Sequence, residues 1–282
     1  MLILISLCYR LMILFPNAKI NLGLYVLNKR PDGFHNLETC FYPVPWFDIL
    51  EIIPAEKTVF TSSGNTIPGN SEDNLCLKAY NALARDFYLP NVHLHLHKKI
   101  PIGAGLGGGS SDAAFVCKLL NKRFELGLTD QQLENYVRPL GSDCAFFIQN
   151  TPILAHEKGD IFTDPGIISL KDWWIFLIHP PIHVATKDAY QGVIPEENRK
   201  PLAEILRTPV ENWKNELVND FEISVFKKYP EIEKIKSLFY ENGAIYASMS
   251  GSGSSVFGLF KNKPDFFPAF HVYSSVIINQ LS

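Results

Sequence analysis

Five of the chain's 18 glycines fall within the seven residues 103–109, and two serines, Ser110 and Ser111, follow at once. That spacing suits a phosphate. Glycine lets the backbone come close to a ligand and turn several N–H groups toward it. Residues 92–97 read as a strand and residues 110–124 as a helix, so the glycines form a strand-to-helix turn. The turn ends at a helix N-terminus, where unpaired N–H groups and a partial positive charge favour an anion. Ser110 or Ser111 could cap that helix and offer a hydroxyl to a phosphate or to Mg²⁺. Gly103, Gly105 and Gly108 also satisfy G-x-G-x-x-G. A dinucleotide fold would then need an acidic residue at a strand end about 20 residues on. Glu125 lies near there but within a polar, helix-like region, which counts against that reading. No Lys follows the glycines, so this is not a Walker A loop. Nor is it a simple linker, since a capped apolar helix follows directly.

Three other places carry reactive side chains. Asp143 sits in the turn Gly141-Ser142-Asp143, just ahead of an apolar run. Such an Asp is commonly a helix cap; here a role as a proton-accepting carboxylate competes with that. Lys19 and Asn21 alternate with Ile20, Leu22 and Leu24 over residues 13–27, so Lys19, Asn21 and Gly23 share one strand face and the leucines the other. That polar face is either a site or a solvated edge. His93, His95 and His97 share a face of the strand at 92–97; a Zn²⁺ site is conceivable, but no carboxylate or cysteine is near in sequence, and a solvent-facing strand is the expectation. Lys98 and Lys99 adjoin the glycine loop and could meet its ligand.

The elements that must position these groups follow from pattern. Residues 30–35 form a turn, and 36–53 one or two strands, with Pro43 and Pro45 marking an edge or bulge. Residues 61–70 read as a polar loop. Asp73-Asn74 precedes a helix at 75–87, and Thr129 caps a short helix running to Val137. A strand is expected at 173–178, a helix or loop at 183–190, a helical stretch opening at 219–222 and a helix at 230–242 ended by Gly243. A strand at 244–249, a second Gly/Ser loop at 250–255 and a strand at 256–260 complete the pattern.

A length of 282 residues suggests about two domains. The 46% hydrophobic and 20% charged composition is that of a globular protein, and the net charge of −3 implies no general attraction to nucleic acid. The five cysteines, Cys8, Cys40, Cys76, Cys117 and Cys144, show no C-x-x-C spacing and point to reduced thiols in the cytoplasm. The apolar stretch at 1–7 is too short to span a bilayer, and its flanks are not those of a secretory signal. Residues 1–11 are expected to be an extension without a role.

The chain resembles the GHMP small-molecule kinases, named for galactokinase and for homoserine, mevalonate and phosphomevalonate kinases. Residues 101–114, P-I-G-A-G-L-G-G-G-S-S-D-A-A, are similar to the family's second motif, P-x-G-x-G-L-G-S-S-A-A, with one residue more. The loop at 250–255 is similar to its third. Ala18-Lys19-Ile20-Asn21-Leu22, Arg30-Pro31-Asp32-Gly33-Phe34-His35, Gly141-Ser142-Asp143 and Asn219-Asp220-Phe221-Glu222 narrow the resemblance to members of non-mevalonate isoprenoid synthesis, whose acceptor alcohol carries a cytidine diphosphate.

The resemblance implies an α+β fold of two domains. A ribosomal S5 domain 2-like N-terminal domain would cover 12–155 and a ferredoxin-like C-terminal domain 156–282, with the active site in the cleft between them. It implies transfer of the γ-phosphate of ATP, accompanied by Mg²⁺, to the 2-hydroxyl of the acceptor. Asp143 would be the base and Lys19 its partner, with no protein-held metal. ATP would meet Pro101, Gly103, Gly105, Leu106, Gly107, Gly108, Gly109, Ser110 and Ser111, with Asn74 and Lys99 on the adenine side. The acceptor would meet Asn21, Phe34, His35, Thr186 and Tyr190, with His35 hydrogen-bonded to the cytosine and Tyr190 against its ring. The family has Tyr where this chain has Phe34, so a ring is kept and a hydroxyl lost.

The expected partners are small-molecule substrates, not nucleic acid or membrane, for a monomer or homodimer. Two alternatives stand beside this reading. Another GHMP kinase would need no base-stacking wall, which His35 and Tyr190 suggest. A non-catalytic nucleotide or RNA binder of the same fold would need neither Asp143 nor Lys19.

Overall fold

A computed structural model of the protein describes residues 12–166, 168–264 and 273–279; the expectation for residues 1–11 lies outside them. In chain order the strands are β1 (Met12–Leu14), β2 (Asn17–Lys29), β3 (His35–Phe47), β4 (Ile49–Pro54), β5 (Val59–Gly64), β6 (Val92–Lys98), β7 (Ile153–Glu157), β8 (Ile161–Thr163), β9 (Trp174–His179), β10 (Tyr246–Met249), β11 (Val256–Phe260) and β12 (Ser274–Asn279). The helices are α1 (Leu75–Ala84), α2 (Gly108–Arg123), α3 (Asp130–Val137), α4 (Phe146–Gln149), α5 (Thr186–Tyr190), α6 (Leu202–Leu206), α7 (Phe221–Lys228) and α8 (Pro230–Glu241).

Among the described residues the strands form three four-stranded sheets, ordered β1-β4-β6-β5, β2-β3-β7-β8 and β10-β11-β9-β12. The third is antiparallel throughout and has the strand order of a ferredoxin-like sheet. Its Phe176, Ile178 and Met249 pack with α7 and α8 through Val225, Ile235 and Phe239. The first sheet buries Leu50, Leu94 and Leu96 against α1 and α2. A further core joins the second and third sheets: Ile20, Leu22 and Tyr42 from one, Leu177, Tyr246 and Phe257 from the other. The two halves of the chain therefore share apolar contact, so a groove between them has fixed walls.

Several expectations are corrected. Helix α2 begins at Gly108 with Gly107 as its N-cap, so Ser110 and Ser111 lie inside the first turn and neither caps it. Gly107 has φ 68°, a left-handed conformation in which glycine escapes the Cβ clash, and that ends the loop earlier than a serine cap would. Residues 61–64 belong to β5, which runs parallel to β6. Their polar side chains face out and bond His93, His95 and His97 while the backbone pairs. Helix α1 stops at Ala84, where the N–H groups of Asp86 and Phe87 both donate to the Leu83 carbonyl.

Strand β2 carries a bulge at Gly23: Leu22 pairs with Cys40 and Leu24 with Thr39, leaving Gly23 unpaired at φ 72°. An extra residue reverses the alternation beyond it. Leu24, not Gly23, therefore continues the face of Lys19 and Asn21. That face is buried, with Lys19 3% and Asn21 2% exposed, and is no solvated edge. The expected boundary at 155/156 falls inside β7, whose hairpin with β8 stays in the second sheet as far as Thr163. Among the described residues no helix is long and apolar enough to cross a membrane.

Candidate active site

The glycine loop follows β6 and turns on three left-handed glycines, Gly103, Gly105 and Gly107, with φ of 66°, 75° and 68°. The Ser111 N–H donates to the Gly107 carbonyl at 2.9 Å. The N–H groups of Gly108, Gly109 and Ser110 precede that bond, so the helix gives them no partner. They border a cavity of about 400 Å³ closed by Ile67, Pro68, Asn74 and Pro101. Asn74 also caps α1, accepting from the Cys76 N–H at 2.8 Å. Lys99 is exposed and does not line this cavity, whereas Lys98 does.

Sequence reasoning missed what lies beneath the loop. Lys98 donates to Asp48 Oδ2 and, at 2.7 Å, to Asp112 Oδ2; all three side chains are buried. The remaining Asp48 oxygen accepts from the N–H groups of Lys99 and Ile100, at 2.6 and 2.8 Å. Asp112 Oδ1 and Ser111 Oγ are buried without a hydrogen-bond partner. Burial pushes the Asp112 carboxyl up to about 7 against the pull of Lys98. The two carboxylates raise the Lys98 ammonium despite its burial. The signal was a charged residue closing a strand whose other inward residues are apolar.

A second cavity, of about 180 Å³, shares Gly105 and Gly107 with the first. Lys19 and Asp143 line it, with Lys19 Nζ 3.3 Å from Asp143 Oδ2. Lys19 also donates to Asn21 Oδ1 at 2.6 Å and to the Gly105 carbonyl at 3.1 Å. Asn21 donates to Thr39 Oγ1 at 2.9 Å, and Thr39 donates to the Gly23 carbonyl at 2.6 Å. The ammonium is thereby fixed in place between the glycine loop and Asp143. Thr186 and Tyr190, from α5, form the far wall. His35 stacks on Tyr190 with ring centroids 4.8 Å apart, and Phe221 meets Tyr190 edge-on at 4.7 Å. Phe34 is 61% exposed beside them.

The second Gly/Ser loop braces the first. Ser250 Oγ donates to the Gly105 carbonyl at 2.8 Å, and the Ser255 N–H donates to the Ala104 carbonyl at 3.2 Å. Asn219 pins this loop by donating to the carbonyls of Met249 and Gly251. Asp220 accepts from the Val26 N–H, and Glu222 from the Met249 N–H. The polar stretch 219–222 is thus a clamp on both halves. Among the described residues no group of three His, Cys, Asp or Glu side chains could hold a metal ion.

An anion cradle and a Lys–Asp pair that share a wall can bring a phosphorylated donor to a proton acceptor. Comparisons with known proteins agree with that chemistry. Residues 74–150 match the GHMP kinases N terminal domain and residues 198–270 the GHMP kinases C terminal domain. The chain is 67% identical over 256 residues to the 4-diphosphocytidyl-2-C-methyl-D-erythritol kinase of Cytophaga hutchinsonii, covering 91% of this chain and 95% of that protein. It is 54% identical over 268 residues to the enzyme of the same name from Bacteroides fragilis, covering 92% and 97%. A crystal structure of 4-(cytidine 5'-diphospho)-2C-methyl-D-erythritol kinase superposes with a TM-score of 0.75 at 30% identity, covering 88% of this chain and 90% of that one.

Proposed function

The chain belongs to the GHMP kinases as an ATP-dependent small-molecule kinase, and on that premise we propose that it phosphorylates the 2-hydroxyl of 4-diphosphocytidyl-2-C-methyl-D-erythritol. The observation that carries the reading is the Lys19–Asp143 pair on the far side of Gly105 and Gly107 from the anion cradle.

In this account the triphosphate of ATP lies on the N–H groups of Gly108, Gly109 and Ser110, its γ-phosphate toward the shared wall. The acceptor hydroxyl lies against Asp143, which takes its proton as the oxygen attacks phosphorus. Lys19, held by Asn21 and Gly105, keeps Asp143 oriented and offsets charge developing on the transferred group. The base end of the acceptor replaces the His35 imidazole on the Tyr190 ring, leaving His35 to hydrogen-bond the cytosine. Mg²⁺ arrives with ATP. The Ser110 hydroxyl and the two partnerless buried oxygens, Ser111 Oγ and Asp112 Oδ1, are hard donors of the kind it takes. When bound it neutralises charge shared by the β- and γ-phosphates. Residues 12–163 then form the nucleotide-binding domain and the chain from β9 onward the second, acting in the cytoplasm as a monomer or homodimer without nucleic acid.

Phosphate transfer from ATP followed by ³¹P NMR, with diphosphocytidyl-methylerythritol, mevalonate and homoserine compared, tests the reading. A new phosphomonoester signal is expected with the first alcohol alone. Faster turnover of mevalonate or homoserine would replace this function with that of another family member.

A further inference from the structure

Lys158 occupies the turn between β7 and β8, a position that no motif singles out. It lines the second cavity together with Lys19, Asp143, Thr186 and Tyr190. Lys158 itself is exposed, while the next residue, Gly159, is buried. The turn has a built geometry: Glu157 takes φ 56°, rare for a residue with a side chain, and Gly159 takes φ 86° and donates its N–H to the His156 carbonyl at 2.9 Å.

The turn is also tied to the base end of the cavity. Arg30 Nη1 donates to Glu157 Oε2 at 3.0 Å and to Asn36 Oδ1 at 2.8 Å, and Arg30 pairs with Asp32 at 3.2 Å. Arg30 thus joins the turn bearing Lys158 to the turn bearing Phe34 and His35. Lys158 Nζ stands 5.6 Å from the Phe34 ring centroid. Asp32 is near enough to feel its charge but is already held by Arg30.

The two cations of this cavity differ in what they can still do. Lys19 is committed to Asp143, Asn21 and Gly105. Lys158 stands in no ion pair among the described residues, and its one close partner is an aromatic ring. If the acceptor is the alcohol proposed above, its hydroxyl end lies at Asp143 and its base end at Tyr190. The diphosphate joining those ends then crosses the stretch of wall to which Lys158 belongs. A diphosphate in a half-enclosed cavity favours a cation at hydrogen-bond distance over bare solvent.

We propose that Lys158 is the diphosphate-binding residue of the acceptor site, so that it selects alcohols joined to their base through phosphates. The proposal rests on the acceptor reading above and adds to it the group that recognises the linker. Its weight falls on acceptor KM, since an ammonium contacting the linker holds ground state and transition state alike.

The test is calorimetric titration of wild type, Lys158→Gln and Lys158→Arg with cytidine and with cytidine diphosphate, the nucleotide cavity being saturated with ADP. Wild type should bind the diphosphate more tightly than the nucleoside. Lys158→Gln should weaken the diphosphate by about tenfold or more and leave cytidine within about twofold, as loss of one charged hydrogen bond implies. Lys158→Arg should recover most of the difference. In turnover, Lys158→Gln should raise KM for the acceptor and leave kcat and the KM for ATP near wild type. Equal weakening of both ligands, or of neither, overturns the proposal and leaves the acceptor reading standing. A wild type that binds neither ligand overturns the acceptor reading and the proposal with it.

Discussion

Asp112 bears a carboxyl that is 2% exposed, shares one ammonium with Asp48, and leaves one oxygen without a protein partner. Burial raises its carboxyl from 3.8 to about 7, so the folded protein holds this proton more tightly than the unfolded chain does. Between those values the native state binds more protons than the unfolded state, and the contribution of Asp112 to stability therefore falls as pH rises through the window. Asp112→Asn removes that dependence. Urea unfolding at several pH values should show wild type losing stability relative to Asp112→Asn from pH 4 to pH 8, and parallel curves would contradict the assignment. None of this was legible in the sequence. Asp48 and Lys98 are 50 residues apart and meet only because β4 pairs with β6. The Lys19, Asn21 and Asp143 positions were legible, because they recur with motifs whose chemistry demands them. Thr39 and Ser250, which hold that trio in place, were not, because a hydroxyl in a strand or loop has no distinguishing pattern.

The glycine loop and α2 form the element on which nucleotide binding depends, and its glycines are not equivalent. A Cβ on Gly107 would stand 3.0 Å from Phe147 Cζ and 3.1 Å from Lys19 Cγ, on a left-handed backbone. A Cβ on Gly105 would fall 2.0 Å from the Ser250 carbonyl oxygen. Substituting either strains the fold as well as the cradle. Gly109 is helical, and the closest atom to its Cβ would be Leu75 Cδ1 at 3.8 Å. Gly109→Val therefore adds a branched side chain to the cavity wall without a clash. KM for ATP should rise at least about tenfold, the effect of losing a charged hydrogen bond or two, while the melting temperature stays near that of wild type. Unaltered ATP binding by this variant would show that the phosphates lie elsewhere. Strand β6, helix α3 and the loops flanking α2 could be read directly, because alternation, a Thr–Gln capping box and a dense glycine run leave little choice. The bulge at Gly23 and strand β5 could not. A bulge shows only in pairing, and Thr61 and Ser63 have the composition of a loop until the histidines of β6 accept them as neighbours.

On the scale of the whole molecule, the nucleotide and acceptor cavities share one wall, and that wall is where the two halves of the chain meet. Gly105 contributes its carbonyl to Lys19 from the N-terminal half and to Ser250 from the C-terminal half. The two-domain organisation was legible from length and motifs. The position of the boundary was not, because the β7–β8 hairpin differs in sequence character from the first sheets yet completes one of them. What this architecture achieves is a fixed relation between the phosphate to be moved and the carboxylate that accepts the hydroxyl's proton. Asp143 has a side chain 30% exposed and Lys19 as its ion-pair partner, so replacing it with Asn preserves shape and removes the base. Steady-state turnover of Asp143→Asn, measured with calorimetric binding of ADP and cytidine diphosphate and with the melting temperature, tests the central claim. The account predicts that kcat falls by ~10²–10⁴, the range for loss of general-base catalysis, while both ligands bind as to wild type and the melting temperature scarcely moves. Near-normal kcat, or unfolding in place of lost turnover, would contradict it.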